Sequence, residues 1–285
     1  MFGLPPLLAH IVEIVVFALV SLIGLGVGLR LLRVMRVDGL LGFGERVVFG
    51  LGVGYGALGF VMLGMGLVGV IYAPVGIVAL LGLGGVGVGP LLREMRGVGA
   101  PIRSAIGGLR YGPNLFLLGV IGLCVGAALV KALVPVATQD DLMYHLALPR
   151  RYIEDHAVAF YPDSTYSLFP QLMEMLYTWG LLLGSDRLAV LFALGVGLLG
   201  PAAAGLFARR FARASYELRI TNQGFGGLCL CLLWLLSCLC RLLGIFCGRL
   251  ILTWRRLVLI CWRFMLWLWG WDRGSGIRDQ GLVGC

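Results

Sequence analysis

Apolar residues in this chain come in long unbroken runs rather than in the alternation of half-buried strands. Runs at about 9 to 32, 47 to 70, 74 to 92, 113 to 136 and 186 to 208 are each of the order of the roughly 20 residues a helix needs to cross about 30 Å of hydrocarbon. Arg-bearing loops separate them, or the short Tyr72-Ala73-Pro74 turn. None shows the ten-residue dyad pattern of a barrel strand. The pattern therefore predicts an all-α fold, a polytopic transmembrane helical bundle. A further apolar segment, 169 to 184, is shorter: at about 1.5 Å per residue it reaches only about 24 Å. Its polar residues Gln171, Glu174 and Thr178 recur as a stripe opposite Phe169, Leu172, Leu176 and Leu183. That spacing predicts an interfacial helix lying along the membrane surface; an ordinary spanning helix is the alternative.

Charge then orients the bundle. Arg30, Arg33, Arg36, Arg93, Arg96, Arg103, Arg110, Arg209, Arg210 and Arg213 stand beside the ends of apolar runs. Under the positive-inside rule they place loops 33 to 46 and 93 to 112 in the cytoplasm, and the N-terminus and loop 137 to 168 outside. Between that loop and Arg209 the chain must cross an odd number of times, so one of the two apolar segments there does not span. The N-terminus has no basic region and runs into a stretch too long for a signal-peptide core, so the first helix is expected to stay. The division expected is 1–136, four transmembrane helices; 137–185, an outer loop with short juxtamembrane helices; 186–214, a transmembrane helix; and 215–285, a segment of different character.

Composition agrees with a lipid-solvated chain: 60% of residues are hydrophobic, 13% are charged, and the mean hydropathy is +0.96. A soluble domain could not cover its surface with so few polar groups. The net charge of +9 is a topology signal, and nucleic acid is not an expected partner. Glycines at four-residue spacing, Gly50/Gly54, Gly52/Gly56 and Gly85/Gly89, read as places where helix backbones approach closely. Gly82, Gly84 and Gly87 match GxGxxG literally but lie inside an apolar run without a preceding strand, which argues against a dinucleotide site. Seven of the eight cysteines fall after residue 228 without a CxxC, which predicts neither a disulfide framework nor a zinc site. After Ala214 there is no alanine, after Pro201 no proline, and six of the seven tryptophans lie beyond 230. A shifted reading frame from about Ser215 would explain that break; a pair of unusual helices at about 225 to 248 and 250 to 271 is the alternative.

Candidate chemistry concentrates outside the apolar runs. Residues 137 to 168 hold five of the fourteen acids (Asp140, Asp141, Glu154, Asp155, Asp163), two of the three histidines (His145, His156), and Arg150 with Arg151. A helix starting near Thr138 or Asp140 would put Asp140 with Tyr144, and Asp141 with His145, at i, i+4. A carboxylate, a phenol and an imidazole would then meet where the fourth helix leaves the membrane, able to take a proton from a hydroxyl, or, through Asp141 and His145, to hold a divalent metal. Arg150 with Glu154 and Arg151 with Asp155 are expected as i, i+4 ion pairs, with phosphate binding by the two arginines as the alternative. Lys131, the sole lysine, lies just below the outer surface and either snorkels or meets an anionic head group. Glu13 and His10, one turn apart, read as an interfacial pair.

The stretch Asp140-Asp141-Leu142-Met143-Tyr144-His145-Leu146-Ala147-Leu148-Pro149-Arg150-Arg151-Tyr152, followed by Tyr161-Pro162, Ser167-Leu168-Phe169-Pro170 and Glu174-Met175-Leu176-Tyr177, resembles the first outer loop of bacterial GT-C type membrane glycosyltransferases, the superfamily of protein O-mannosyltransferases and aminoarabinose transferases. The likeness spans about 140 to 210. It implies transfer of a sugar from a polyprenyl-phosphate carrier to an acceptor on the outer face of the cytoplasmic membrane. It also implies an early loop aspartate, here Asp140 first and Asp141 second, acting as base or orienting the acceptor, with His145 on the family histidine. Tyr144, Lys131, Arg150 and Arg151 are then candidates for the donor side, and membrane lipid is the surrounding partner. The chain departs from the superfamily in lacking a second acidic outer loop. A transporter or flippase-like protein and a non-catalytic membrane fragment are the alternative readings.

Overall fold

The computed structural model describes residues 6–99, 112–135, 141–168 and 171–217. The chain divides into two units, Met1–Leu243 and Gly244–Cys285, and every described residue falls in the first. The expected helix pair at 225 to 248 and 250 to 271 thus lies outside the described residues.

The described residues form helices and no strand. Five helices are long: α1 (Pro6–Val34), α2 (Phe43–Val68), α3 (Ala73–Gly97), α4 (Gly112–Leu133) and, later in the chain, α7 (Asp186–Glu217). Between α4 and α7 lie a π-helical turn (Asp141–His145), the short α5 (Ala147–Glu154), a 3-10 turn (Thr165–Leu168) and α6 (Leu172–Leu183). Four segments among the described residues, Leu7–Val34, Phe43–Val68, Ala73–Gly97 and Asp186–Arg210, are long and apolar enough to cross a membrane, and α4 adds an apolar run at Leu118–Leu133. Large apolar side chains are exposed along their flanks, among them Phe60, Leu81 and Leu123. Water does not solvate such a surface, whereas lipid does. This is an all-α, multi-pass membrane protein.

The helix ends have local causes. Glu45 accepts the backbone N–H of Gly42 at 2.7 Å, starting α2 at Phe43, four residues before the apolar run begins. Gly69, at φ 78°, ends it, and the Val70 N–H reaches back to the Met65 carbonyl, a left-handed cap that glycine adopts without strain. Helix α3 continues through the buried Pro90 to Gly97.

One end of the bundle gathers the arginines. Arg46 pairs with Glu94 at 2.8 Å, Arg33 with Asp38 at 3.6 Å and Arg210 with Glu45 at 3.2 Å. At the other end the segment after α5 is clamped onto the α2–α3 turn. The Ile71 N–H donates to the His156 carbonyl, the Val158 N–H to the Gly66 carbonyl, and His156 stacks on Tyr72. Glu13 of α1 meets Arg187 of α7 at this end as well as His10. Of the two apolar segments between the loop and Arg209, α7 is long and apolar enough to cross a membrane, whereas α6 has 12 residues and reaches only about 18 Å.

Close helix approach rests on glycine, though on fewer of the expected pairs. A Cβ on Gly54 would collide with the Gly24 carbonyl, and one on Gly28 with the Gly50 carbonyl, so Gly24/Gly28 of α1 and Gly50/Gly54 of α2 form the α1–α2 seam. Gly85, Gly89 and Gly56 have no neighbour within 4 Å of an added Cβ among the described residues. On α3 it is Gly87 that meets Gly26 of α1, which places a glycine of the literal GxGxxG in helix packing. Among the described residues Gly52/Gly56 and Gly85/Gly89 form no such seam, Gly52 making only an ordinary contact with Leu199 of α7: spacing alone does not say which face of a helix meets a neighbour.

Helix α6 also differs from expectation. Its stripe does not lie on water: Glu174 and Thr178 are buried inside the protein, and Trp179, fully buried, donates its indole N–H to the Leu58 carbonyl at 2.9 Å. Packing against α2 and α7 turns the polar face inward, where the Thr178 hydroxyl bonds back to the Glu174 carbonyl at 2.8 Å.

Candidate functional site

Part of the polar loop's described stretch, 141 to 168, meets α6 at this second end of the bundle. Chain geometry brings it together: the π-helical turn Asp141–His145 directs His145 toward α6, and Nδ1 of its ring lies 3.0 Å from Oε1 of Glu174. Single π turns inside helical segments often accompany functional positions, since the wider turn redirects a side chain. Glu174 is nearly fully buried, His145 about a quarter exposed, at 6% and 27%. The imidazole is therefore partly accessible while its carboxylate partner is not. Among the described residues the second carboxylate oxygen, Oε2 of Glu174, has no hydrogen-bond partner.

Tyrosines wall this pair. Tyr144 stacks on Tyr166 with ring centres 4.5 Å apart and tilts against His145 at 3.8 Å. Tyr177 meets the His145 ring edge-on at 5.8 Å. Buried Tyr152 donates its hydroxyl to Gln171 at 3.3 Å, and Gln171 in turn donates to the Tyr166 carbonyl at 2.8 Å. Burial, helped by the Glu174 charge, pushes the Tyr152 hydroxyl up to about 12. Tyr161 is pushed up as well, first by desolvation and then by its 2.6 Å hydrogen bond to Asp155.

The pH consequence follows from the sign of the shift. A tyrosine raised in the folded state adds stability that is fully present below the ordinary range near 10 and is lost as pH rises through the folded value. For Tyr152 the window closes at about 12. Thermal unfolding followed from about pH 9 to 12 should show a steeper alkaline fall for the unmodified chain than for Tyr152→Phe. Identical slopes would mean that Tyr152 ionises as an exposed tyrosine does.

Of the residues singled out from the sequence, His145 and Tyr144 lie in the site. Asp140 lies outside the described residues, and of Asp141 only the backbone is described, within the π turn. The expected pairing of Asp141 with His145 therefore lies outside the described side chains, and the carboxylate that His145 meets among the described residues comes from a distant helix. The arginines also choose distant partners. Arg150 pairs with Asp186 at 2.6 Å and Arg151 with Asp163 at 2.8 Å, with Arg151 lying 5.2 Å over the Tyr161 ring. Helix α5 ends at Glu154, and Asp155 is already taken by the Tyr161 hydroxyl, so the predicted pairs with Glu154 and Asp155 do not form. The Arg151–Asp163 contact raises the guanidinium and lowers the carboxyl. Lys131, in the last turn of α4, is half-buried and has no ion-pair partner among the described residues. Glu13 is fully buried and meets His10, as expected, and also Arg187 of α7, each at 3.4 Å, which adds a cross-helix link.

No three His, Cys, Asp or Glu side chains gather as a metal site among the described residues. His145 and Glu174 are joined directly to each other. What sequence reasoning missed as a site residue is Glu174, together with Tyr152, Tyr166 and Tyr177. Glu174 did carry a signal: an acid within an apolar stretch is costly unless something uses or pairs it.

No family model matches this chain, and no solved structure matches it. A protein of Shigella flexneri described as uncharacterized is 34% identical over 93 residues, which is 30% of this chain and 47% of that protein. The chain thus matches about half the length of that relative. The match shows kinship of a segment and carries no activity with it. The functional reading rests on the residues themselves.

Proposed function

We propose that this protein transfers a sugar from a polyprenyl-phosphate carrier to a hydroxyl acceptor at the loop end of the bundle, on the outer face of the bacterial cytoplasmic membrane. The observation that supports the reading is the coincidence, at one mouth of an otherwise apolar bundle, of a buried carboxylate–imidazole pair and a wall of tyrosines. A lipid-anchored donor reaches that mouth from the membrane side and a polar acceptor reaches it from water. Holding the two in one geometry is itself a large part of catalysis.

Asp140 orients the acceptor hydroxyl in this reading, with Asp141 as the second choice. Lys131, without an ion-pair partner among the described residues and beside the exposed Val130 and Val134, suits the carrier phosphate as a point charge. Arg150 and Arg151 serve the donor only by leaving Asp186 and Asp163, and their contacts are exposed enough to exchange. Tyr144 lines the approach. The resemblance in residues 140 to 177 points to the same chemistry.

The test is reconstitution of the full chain in proteoliposomes containing a radiolabelled polyprenyl-phosphate sugar, with water-soluble hydroxyl acceptors outside. Label appearing in the acceptor fraction, with release of polyprenyl phosphate, is the expected result. Uptake of labelled solute without sugar transfer would replace this reading with a transporter.

A further inference from the structure

Glu174 is the buried titratable group that the resemblance leaves without a role. Oε1 of Glu174 lies 3.0 Å from Nδ1 of His145; with that oxygen accepting, Nδ1 carries the proton, and in the neutral ring the lone pair is then on Nε2. That is the less common tautomer of a free neutral histidine. Among the described residues Nε2 has no hydrogen-bond partner; Tyr144 and Tyr177 meet the ring through its face and edge. The ring is partly exposed while its partner is buried. Were the pair only structural, Glu174 would be expected to satisfy both oxygens, yet Oε2 is unpartnered although buried. Buried polar atoms left open in this way call for a reason.

We infer that Glu174 is a positioning residue that fixes the His145 tautomer, making Nε2 the atom that accepts the proton of the acceptor hydroxyl. This rests on the sugar-transfer reading above and sharpens it. As the acceptor oxygen forms its bond to the anomeric carbon, its proton passes to Nε2, and the bond from the anomeric carbon to the phosphate oxygen breaks. The electron pair leaves with polyprenyl phosphate. The resulting imidazolium is held by the Glu174 carboxylate and returns its proton to the departing phosphate or to water. The logic is that of a carboxylate behind a histidine base, in which the carboxylate acts through the ring and does not itself become protonated.

The experiment has a spectroscopic and a kinetic arm. The full chain, labelled with 15N-histidine and held in lipid nanodiscs, reports the His145 tautomer at neutral pH, with His145→Gln assigning the signals. The expected result is Nδ1–H in the unmodified chain and a shift toward Nε2–H in Glu174→Gln, which keeps the side chain's volume. In the proteoliposome assay, His145→Gln should lower turnover by roughly 100- to 10,000-fold, the range of general acid–base catalysis. Glu174→Gln should lower turnover with little change in KM for the donor, and the double variant should be no slower than His145→Gln alone. A proton on Nε2 in the unmodified chain would overturn the assignment, as would full turnover in Glu174→Gln. The failures are separable. An unmodified chain that transfers no sugar sinks the transferase reading even with the tautomer as stated, whereas the wrong tautomer in a chain that does transfer sinks only the role of Glu174.

Discussion

Gly54→Leu is expected to lower the stability of the bundle by about 3 kcal/mol or more, the upper end of the cost of overpacking. The leucine Cβ would fall on the Gly24 carbonyl, which is backbone and cannot swing aside as a flexible side-chain end would. Helices in lipid lack the hydrophobic drive that holds soluble cores together, so close backbone contact carries more of the association. Gly28→Leu should behave alike, because its Cβ would meet the Gly50 carbonyl. The control is Gly56→Leu, also on α2 but with no neighbour within 4 Å among the described residues, where the change should stay within about 0.5 kcal/mol. Thermal unfolding of the three variants in one detergent checks this. Equal midpoints for Gly54→Leu and Gly56→Leu would mean that the seam is elsewhere.

Asp140→Asn should reduce sugar transfer by at least roughly 100-fold, the lower bound for removing a group that manages the reacting proton or holds the reacting hydroxyl. The asparagine keeps the shape and one accepting oxygen while removing the charge, so protein yield and unfolding temperature should hardly change. Asp141→Asn should cost much less. Undiminished turnover in Asp140→Asn would take that residue out of the mechanism, and a reversal of the two effects would exchange their roles. With Glu174 holding His145, the loss should appear in the use of acceptor more than of donor.

How much of this could be read in advance differs by level. The long helices were legible because hydrocarbon demands about 20 apolar residues at a stretch and leaves no other way to satisfy the backbone. Their ends were less so. Helix α2 begins at Phe43 on account of Glu45, and α3 runs on through Pro90 to Gly97, where Glu94 meets Arg46. Glycine spacing was visible, but the choice of Gly54 and Gly87 over Gly56 and Gly89 depends on which face a neighbouring helix takes. For α6 the periodicity was real and its direction was not given, since a polar stripe can turn to water or to a buried histidine. The arginines show the same limit. Helical spacing proposed Glu154 and Asp155 for them, and the fold supplied Asp186 and Asp163. His145 was legible as a candidate from the density of polar residues around it. Its partner was not, being 29 positions away on another helix.

The central claim is that a lipid-linked sugar donor is met at the loop end of the bundle and not at the arginine end. A photoreactive polyprenyl-phosphate sugar, incorporated in proteoliposomes with the full chain, irradiated, and mapped by mass spectrometry of the labelled peptides, tests it most directly. Labelling should concentrate in the last turn of α4 around Lys131 and in residues 141 to 177, and unlabelled donor should compete it away. Labelling confined to the opposite end, around Arg46, Glu94 and Arg210, or labelling that excess donor does not reduce, would contradict the account.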